Sequence, residues 1–106
     1  MNFVINGFRW DVVFVSSNSP KLHRSDGSLT VGVTDWADKT VYLSSSITGA
    51  FLRKVFIHEV SHCAVFSYGI EISLEQEEFL CDFIATFGDE IFQVVDDLFM
   101  VLKRAI

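Results

Sequence analysis

The residues with the clearest chemical potential lie in the middle of the chain, in the stretch His58-Glu59-Val60-Ser61-His62. Residues i and i+4 of an α-helix share one face, so His58 and His62 can both direct an imidazole nitrogen at one zinc ion, at roughly 2.0–2.1 Å each. Glu59 points partly round the helix, where its carboxylate can take a proton from a zinc-bound water. The HExxH spacing therefore predicts a zinc site on a helix, with Glu59 as general base.

A catalytic zinc ion needs a third protein ligand and an open fourth position. A second predicted helix offers Glu75, Glu77, Glu78 and Asp82. Glu78 and Asp82 lie one turn apart on the same face, whereas Glu77 lies a further 100° round the helix. Glu78 is the predicted third ligand, whereas Asp82 is either an alternative ligand or a partner that orients a ligating histidine. His23 is a further alternative. With Asp82 as a fourth ligand, the site would instead be closed and structural.

The same residues resemble a known family. The stretches IHEVSH and EEFLCDFIA are similar to zincin-like (gluzincin) metallopeptidases of the ImmA/IrrE type and of small phages and prophages, in which HExxH precedes a glutamate. The resemblance implies a zinc-dependent metallopeptidase that acts on a peptide or protein substrate. It also implies Zn²⁺ as cofactor, with His58, His62 and Glu78 as its ligands and Glu59 as general base.

The sequence allows several alternatives for substrate handling and one rival function. Candidate donors to a developing oxyanion are Tyr68, Tyr42 and His23. The strand predicted over 40–43 directly precedes the zinc helix, so as a sheet edge it could pair with an extended peptide. The alternative function is a non-catalytic phage-type regulatory or inhibitor protein that uses a zincin scaffold to bind a host protein. Its amphipathic stripe over 91–106 would dock on that partner, or would form a homodimer through the C-terminal helix.

The first 44 residues have the pattern of a small sheet. Strands are predicted over 3–5 and 8–15, joined by an Asn6-Gly7 hairpin turn, and then over 29–33 and 40–43. These strands follow one another through short links. We therefore expect three or four strands in an antiparallel or mixed sheet.

The rest of the chain has helical periodicity. A helix is predicted over 47–69, and the C-terminal helices over 73–106 begin at a capping box formed by Ser73 and Gln76. A break or bend near Gly88 would separate a second helix from a third, amphipathic one. The prediction is one α+β domain over 1–106, in which the sheet packs on about three helices as a minimal zincin-like core.

Composition limits the partners of the chain. Its 106 residues are 50% hydrophobic and carry a net charge of -6, so one core is expected and direct nucleic-acid binding is not. No segment has the pattern of a signal peptide or a membrane span. Cys63 and Cys81 are expected to be buried, reduced thiols, which suits the cytoplasm of a bacterial or phage-infected cell. Trp10 and Trp36 are expected in the core.

Overall fold

Four strands are followed by two long helices. The computed structural model describes residues 1–24 and 26–105. Within these residues, the strands are β1 (Asn2–Ile5), β2 (Phe8–Val15), β3 (Gly32–Asp35) and β4 (Thr40–Ser44), and the helices are α1 (Gly49–Ser67) and α2 (Leu74–Ala105). The predicted α+β class is therefore confirmed, although the described residues form two α-helices and not about three.

The sheet is mixed, with the strand order β1-β2-β4-β3. β1 and β2 are antiparallel, and the turn between them places Asn6 and Gly7 at φ of 48° and 79°. This left-handed backbone is the one that an Asn-Gly hairpin uses. β2 pairs with β4 in parallel, while β3 pairs with β4 antiparallel.

The sequence left open whether the strand over 40–43 lies at the sheet edge, and the structure shows that it does not. β4 lies between β2 and β3, and the side chains of Val41 and Leu43 are fully buried. A strand that is apolar enough to be buried is stabilised by two neighbours more than by one, because both of its rows of backbone groups are then paired. The edge next to α1 is formed by β3.

β3 begins later than the sequence predicts, at Gly32 instead of residue 29. Leu29 is exposed and pairs with His23 in an isolated bridge, inside the loop that precedes the strand. The apolar residues of this stretch fit both a strand and a loop that forms a few strand-like hydrogen bonds. They therefore do not show where β3 begins. The bounds of β3 are determined by its pairing with β4, and the periodicity of the sequence contains no information about this pairing.

α1 ends where the sequence predicts a stop. Gly69 has a φ of 60°, and the backbone N–H groups of Gly69 and Ile70 donate to the carbonyl oxygens of Phe66 and Val65. These bonds satisfy carbonyls at the helix end that would otherwise lack partners. The chain then reverses, so that α2 runs back along α1.

α2 is one continuous helix of 32 residues, so the predicted break near Gly88 is wrong. The predicted capping box is confirmed, because the backbone N–H of Ser73 donates to Gln76 Oε1 and the N–H of Gln76 donates to Ser73 Oγ. Gly88 lies inside the helix and costs about 1 kcal/mol relative to alanine, which is too little to end a helix of this length. Over the described residues, neither helix has a stretch long and apolar enough to cross a membrane.

The core lies between the sheet and α1. It is formed by Trp10, Val12, Val41, Leu43 and Cys63. The indole N–H of Trp10 donates to Ser67 Oγ at 2.9 Å, which fixes the end of α1 against the sheet. Trp36, which we expected in the core, is 41% exposed and packs over Trp10 and Phe66 from outside.

Both cysteines are free and buried, as the sequence predicts. Cys63 belongs to the sheet side of α1, while Cys81 lies on α2. Burial raises the pKa of each thiol to about 12, because the thiolate would lose its hydration. Both groups are therefore protonated and unreactive at neutral pH.

Candidate metal centre

α1 places the two histidines of the HExxH motif side by side. His58 and His62 lie one turn apart, and their Nε2 atoms are 3.2 Å from each other. The rings meet at an interplanar angle of 71°. Both imidazoles therefore direct the same nitrogen at one point, as the i, i+4 spacing predicts.

α2 brings Glu78 to that point. Its Oε2 atom lies 3.3 Å from His58 Nε2, and its Oε1 atom lies 3.1 Å from His62 Nε2. In a tetrahedron with zinc bonds of roughly 2.0–2.1 Å, neighbouring ligand atoms are about 3.3–3.4 Å apart. The observed separations are close to this value, so the donor set and its spacing fit a zinc ion.

Two more carboxylates hold the outer nitrogens of the histidines. Glu77 Oε2 lies 2.5 Å from His62 Nδ1, and Asp82 Oδ1 lies 2.8 Å from His58 Nδ1. A carboxylate at Nδ1 accepts its hydrogen and leaves the lone pair on Nε2, which is the nitrogen that faces Glu78. Asp82 therefore contacts His58 where an orienting partner would lie, and it is not one of the three residues whose ligand atoms converge.

Sequence reasoning missed the role of Glu77. It differs from Asp82 in its surroundings, because its side chain is 10% exposed and that of Asp82 is 71% exposed. The available signal was the adjacent pair Glu77-Glu78, whose side chains point about 100° apart on a helix. Two neighbouring glutamates can thereby contact different sides of the same histidine.

Glu59 is buried beside the cluster and is held from the sheet. Its Oε1 atom accepts a hydrogen bond from Thr34 Oγ1 at 2.9 Å, and its Oε2 atom lies 3.9 Å from His58 Nε2. Burial raises the pKa of the Glu59 carboxyl, while the neighbouring His58 opposes the rise. A carboxylate with a raised pKa is a better proton acceptor near neutral pH.

Gly32 allows β3 to approach Glu59 closely. A Cβ atom on Gly32 would lie 2.8 Å from Val55 Cγ1 and 3.1 Å from Glu59 Cγ. The first distance is shorter than packed carbon atoms tolerate, and the second would require the Glu59 side chain to shift slightly. Neither Gly32 nor Thr34 could be assigned from sequence, since each is separated from the motif by more than twenty residues and gives no local signal.

An open cleft leads to the cluster. It has a volume of about 370 Å³, and its lining includes His23, Arg24, Val33, Phe66 and Leu74 together with the motif residues. His23 therefore lies at the site, but outside the group of three ligand atoms. Among the three candidate oxyanion donors, the described structure places His23 alone in this lining.

The two tyrosines lie elsewhere. The hydroxyl of Tyr42 donates to Asp38 Oδ2 at 3.2 Å, and Tyr68 is a 61% exposed residue at the end of α1. Both are thus poorly placed for chemistry at the histidines.

Comparison with known proteins adds nothing to this geometry: no protein-family model matches the chain, and neither a curated protein nor a solved structure is significantly similar to it.

Proposed function

We propose that this protein is a zinc-dependent peptidase. The observation that carries the proposal is the convergence of His58 Nε2, His62 Nε2 and a Glu78 carboxylate within 3.1–3.3 Å of one another, beside the buried carboxylate of Glu59. Two imidazoles and one carboxylate are a ligand set that catalytic zinc sites use, with the fourth position open. The cleft in front of the cluster supports an open position, and Asp82 is engaged with His58 Nδ1 instead of closing it.

Each side chain has a defined part in peptide hydrolysis. A zinc ion held by His58, His62 and Glu78 would supply Lewis-acid catalysis and lower the pKa of water there to about 7. Glu59 accepts the proton of the attacking water and returns it to the leaving amine, which it can do because its own pKa is raised. Thr34 keeps the carboxylate in place through its hydrogen bond.

The same cleft provides contacts for substrate. β3 is a sheet edge that borders the cleft through Gly32, Val33 and Thr34. An extended peptide can add to such an edge by backbone hydrogen bonds. His23, which also lines the cleft, is the residue that we assign as the donor to the oxyanion.

The first test is metal content together with peptidase activity. Protein purified from zinc-replete medium is expected to contain about one zinc ion per chain, and Glu59→Gln should keep that zinc but lose roughly 10²- to 10⁴-fold in cleavage rate. His58→Ala and Glu78→Ala should lose the metal. Glu75→Gln, an exposed glutamate on the first turn of α2, is the matched control and should behave as wild type.

Four results would contradict the proposal in different ways. Wild type that is metal-free after growth in zinc-replete medium would show that the chain does not bind zinc at this site. Full activity in Glu59→Gln would show that Glu59 is not the general base. Zinc retained by Glu78→Ala would show that Asp82 or His23 is the third ligand instead. Zinc-loaded wild type without activity on a broad peptide library would favour the non-catalytic binding protein.

A further inference from the structure

The cleft in front of the candidate metal centre has an apolar end. Phe66 and Leu74 belong to its lining. On α1, Phe66 follows His62 by four residues, and on α2, Leu74 precedes Glu78 by four residues. Each therefore lies about 6 Å along its helix from a proposed ligand. Because α2 runs back along α1, both side chains lie on the side of the cluster toward the turn between the helices.

Phe66 forms a fixed wall of this apolar end. Its ring is stacked on that of His62, with 6.3 Å between the ring centroids, and it also packs on Trp10 and Trp36. The side chain is half-buried, so part of it remains accessible in the cleft. A ring that is held by three aromatic neighbours is already in place when a ligand arrives, which lowers the entropic cost of binding.

Leu74 contributes little to the folding of the chain. It is the first residue of α2, and it is 74% exposed. The start of this helix is stabilised by the capping box of Ser73 and Gln76, whose hydrogen bonds do not involve the Leu74 side chain. An apolar side chain that is exposed inside a cleft is available for contact with the apolar part of a ligand.

The charged groups next to the apolar end are already engaged. Glu77 contacts His62, and Glu78 contacts both histidines of the motif. These carboxylates would repel an acidic side chain placed between Phe66 and Leu74, and their contacts with the histidines leave them poorly available to a basic one. The surroundings therefore favour an uncharged, apolar side chain.

We propose that Phe66 and Leu74 form a subsite for a large apolar side chain of the peptide substrate, such as leucine or phenylalanine. The inference rests on the proposed peptidase function. An extended peptide advances about 3.3 Å per residue. A subsite about 6 Å from the metal ligands therefore receives a side chain that lies within two residues of the scissile bond.

Cleavage of a peptide library, with the cut sites identified by mass spectrometry, tests this preference. A large apolar residue is expected at one of the four positions nearest the scissile bond. In quenched fluorescent peptides that differ only at that position, kcat/KM should be roughly 10- to 100-fold higher with leucine than with alanine, and lower still with aspartate. A preference for small or charged residues at all four positions would overturn the subsite alone. Cleavage of no peptide would overturn the peptidase, and the subsite with it.

Substitution of Leu74 tests whether this residue is responsible for the preference. Leu74→Ala should lower the ratio of kcat/KM between the leucine and alanine peptides roughly three- to tenfold. Leu74→Lys should raise kcat/KM for the aspartate peptide relative to the leucine peptide by about the same factor, because it replaces an apolar contact with a positive charge. A general defect in folding or zinc binding would lower all rates together and leave these ratios unchanged.

Leu98→Lys is the matched control for the charged variant. Leu98 is a 63% exposed leucine about 36 Å further along the same helix, so the same substitution there should leave every ratio as in wild type. Zinc content and circular dichroism should match wild type in all three variants. Ratios that are unchanged in both Leu74 variants, or that change equally in Leu98→Lys, would overturn the proposal.

Discussion

His62 is contacted at both ring nitrogens, and the contact at Nδ1 comes from Glu77. Glu77 should therefore affect how strongly His62 binds a metal ion. The buried carboxylate at Nδ1 favours the tautomer that presents Nε2 to the proposed metal position. Glu77→Gln keeps the size of the side chain but removes its charge, so we expect zinc to bind roughly 10-fold more weakly. A competition titration against a zinc chelator measures this change.

Two variants control for the general loss of negative charge. Asp82→Asn removes the corresponding charge at His58, but its exposed carboxylate is hydrated, so the effect should be smaller. Glu75→Gln should have none. A zinc dissociation constant unchanged in Glu77→Gln would show that the buried carboxylate does not support the site.

The residues on the face of the motif could be predicted from sequence, and those that support them could not. His58, Glu59 and His62 are related by helical spacing along α1, which is a local property of the chain. Glu78 lies on α2 and was predicted from its spacing to Asp82 on that helix and from the family resemblance. Glu77 and Thr34 act through contacts set by the way α2 and β3 pack on α1. Such contacts have no period in the sequence, so they become visible only once the elements are assembled.

At the scale of elements, the continuity of α2 makes Gly88 a site for stabilisation. A Cβ atom there would meet Ile84 Cγ2 at 3.5 Å and Phe92 Cε2 at 3.8 Å, which are ordinary contacts. Gly88→Ala should therefore raise the free energy of unfolding by about 0.5–1 kcal/mol, through the lower entropy of the unfolded chain. Urea denaturation followed by circular dichroism measures it.

Gly69 is the matched control for that substitution. Its φ of 60° lies in the left-handed region, which penalises a Cβ atom, so Gly69→Ala should destabilise the fold. If Gly88→Ala were destabilising as well, α2 would bend at this position in solution.

The elements themselves were predicted unevenly, for a physical reason. The Asn6-Gly7 hairpin, β2 and the Ser73 capping box were found because turn and cap residues act on their immediate neighbours. The central position of β4 was not predicted from the sequence. Strand order depends on which strands pair with β2, and this pairing joins residues that are distant in the chain. The single helix α2 was missed because a glycine penalty was weighed without the packing that outweighs it.

At the scale of the whole molecule, the long axis belongs to α2. The principal extents are 54 × 31 × 27 Å, and a helix of 32 residues accounts for about 48 Å of the longest one. The candidate metal cluster lies near the start of this helix, and the exposed residues 89–105 form its other end. Substitutions within 89–105 should therefore leave the candidate metal cluster unaffected.

The proposed ligands are divided between α1 and α2. Because of this division, zinc binding should raise the thermal stability of the fold. An ion that binds only when the two helices lie side by side stabilises the folded chain by about 2.7 kcal/mol at a hundredfold excess over its dissociation constant. For a domain of this length, the melting temperature should then rise by roughly 10 °C or more with free zinc, as measured by calorimetry in zinc-buffered solutions. Glu78→Gln should flatten this dependence, whereas an equally steep rise in that variant would place the zinc elsewhere. The folded fraction near the melting temperature would thus report the free zinc concentration around the protein.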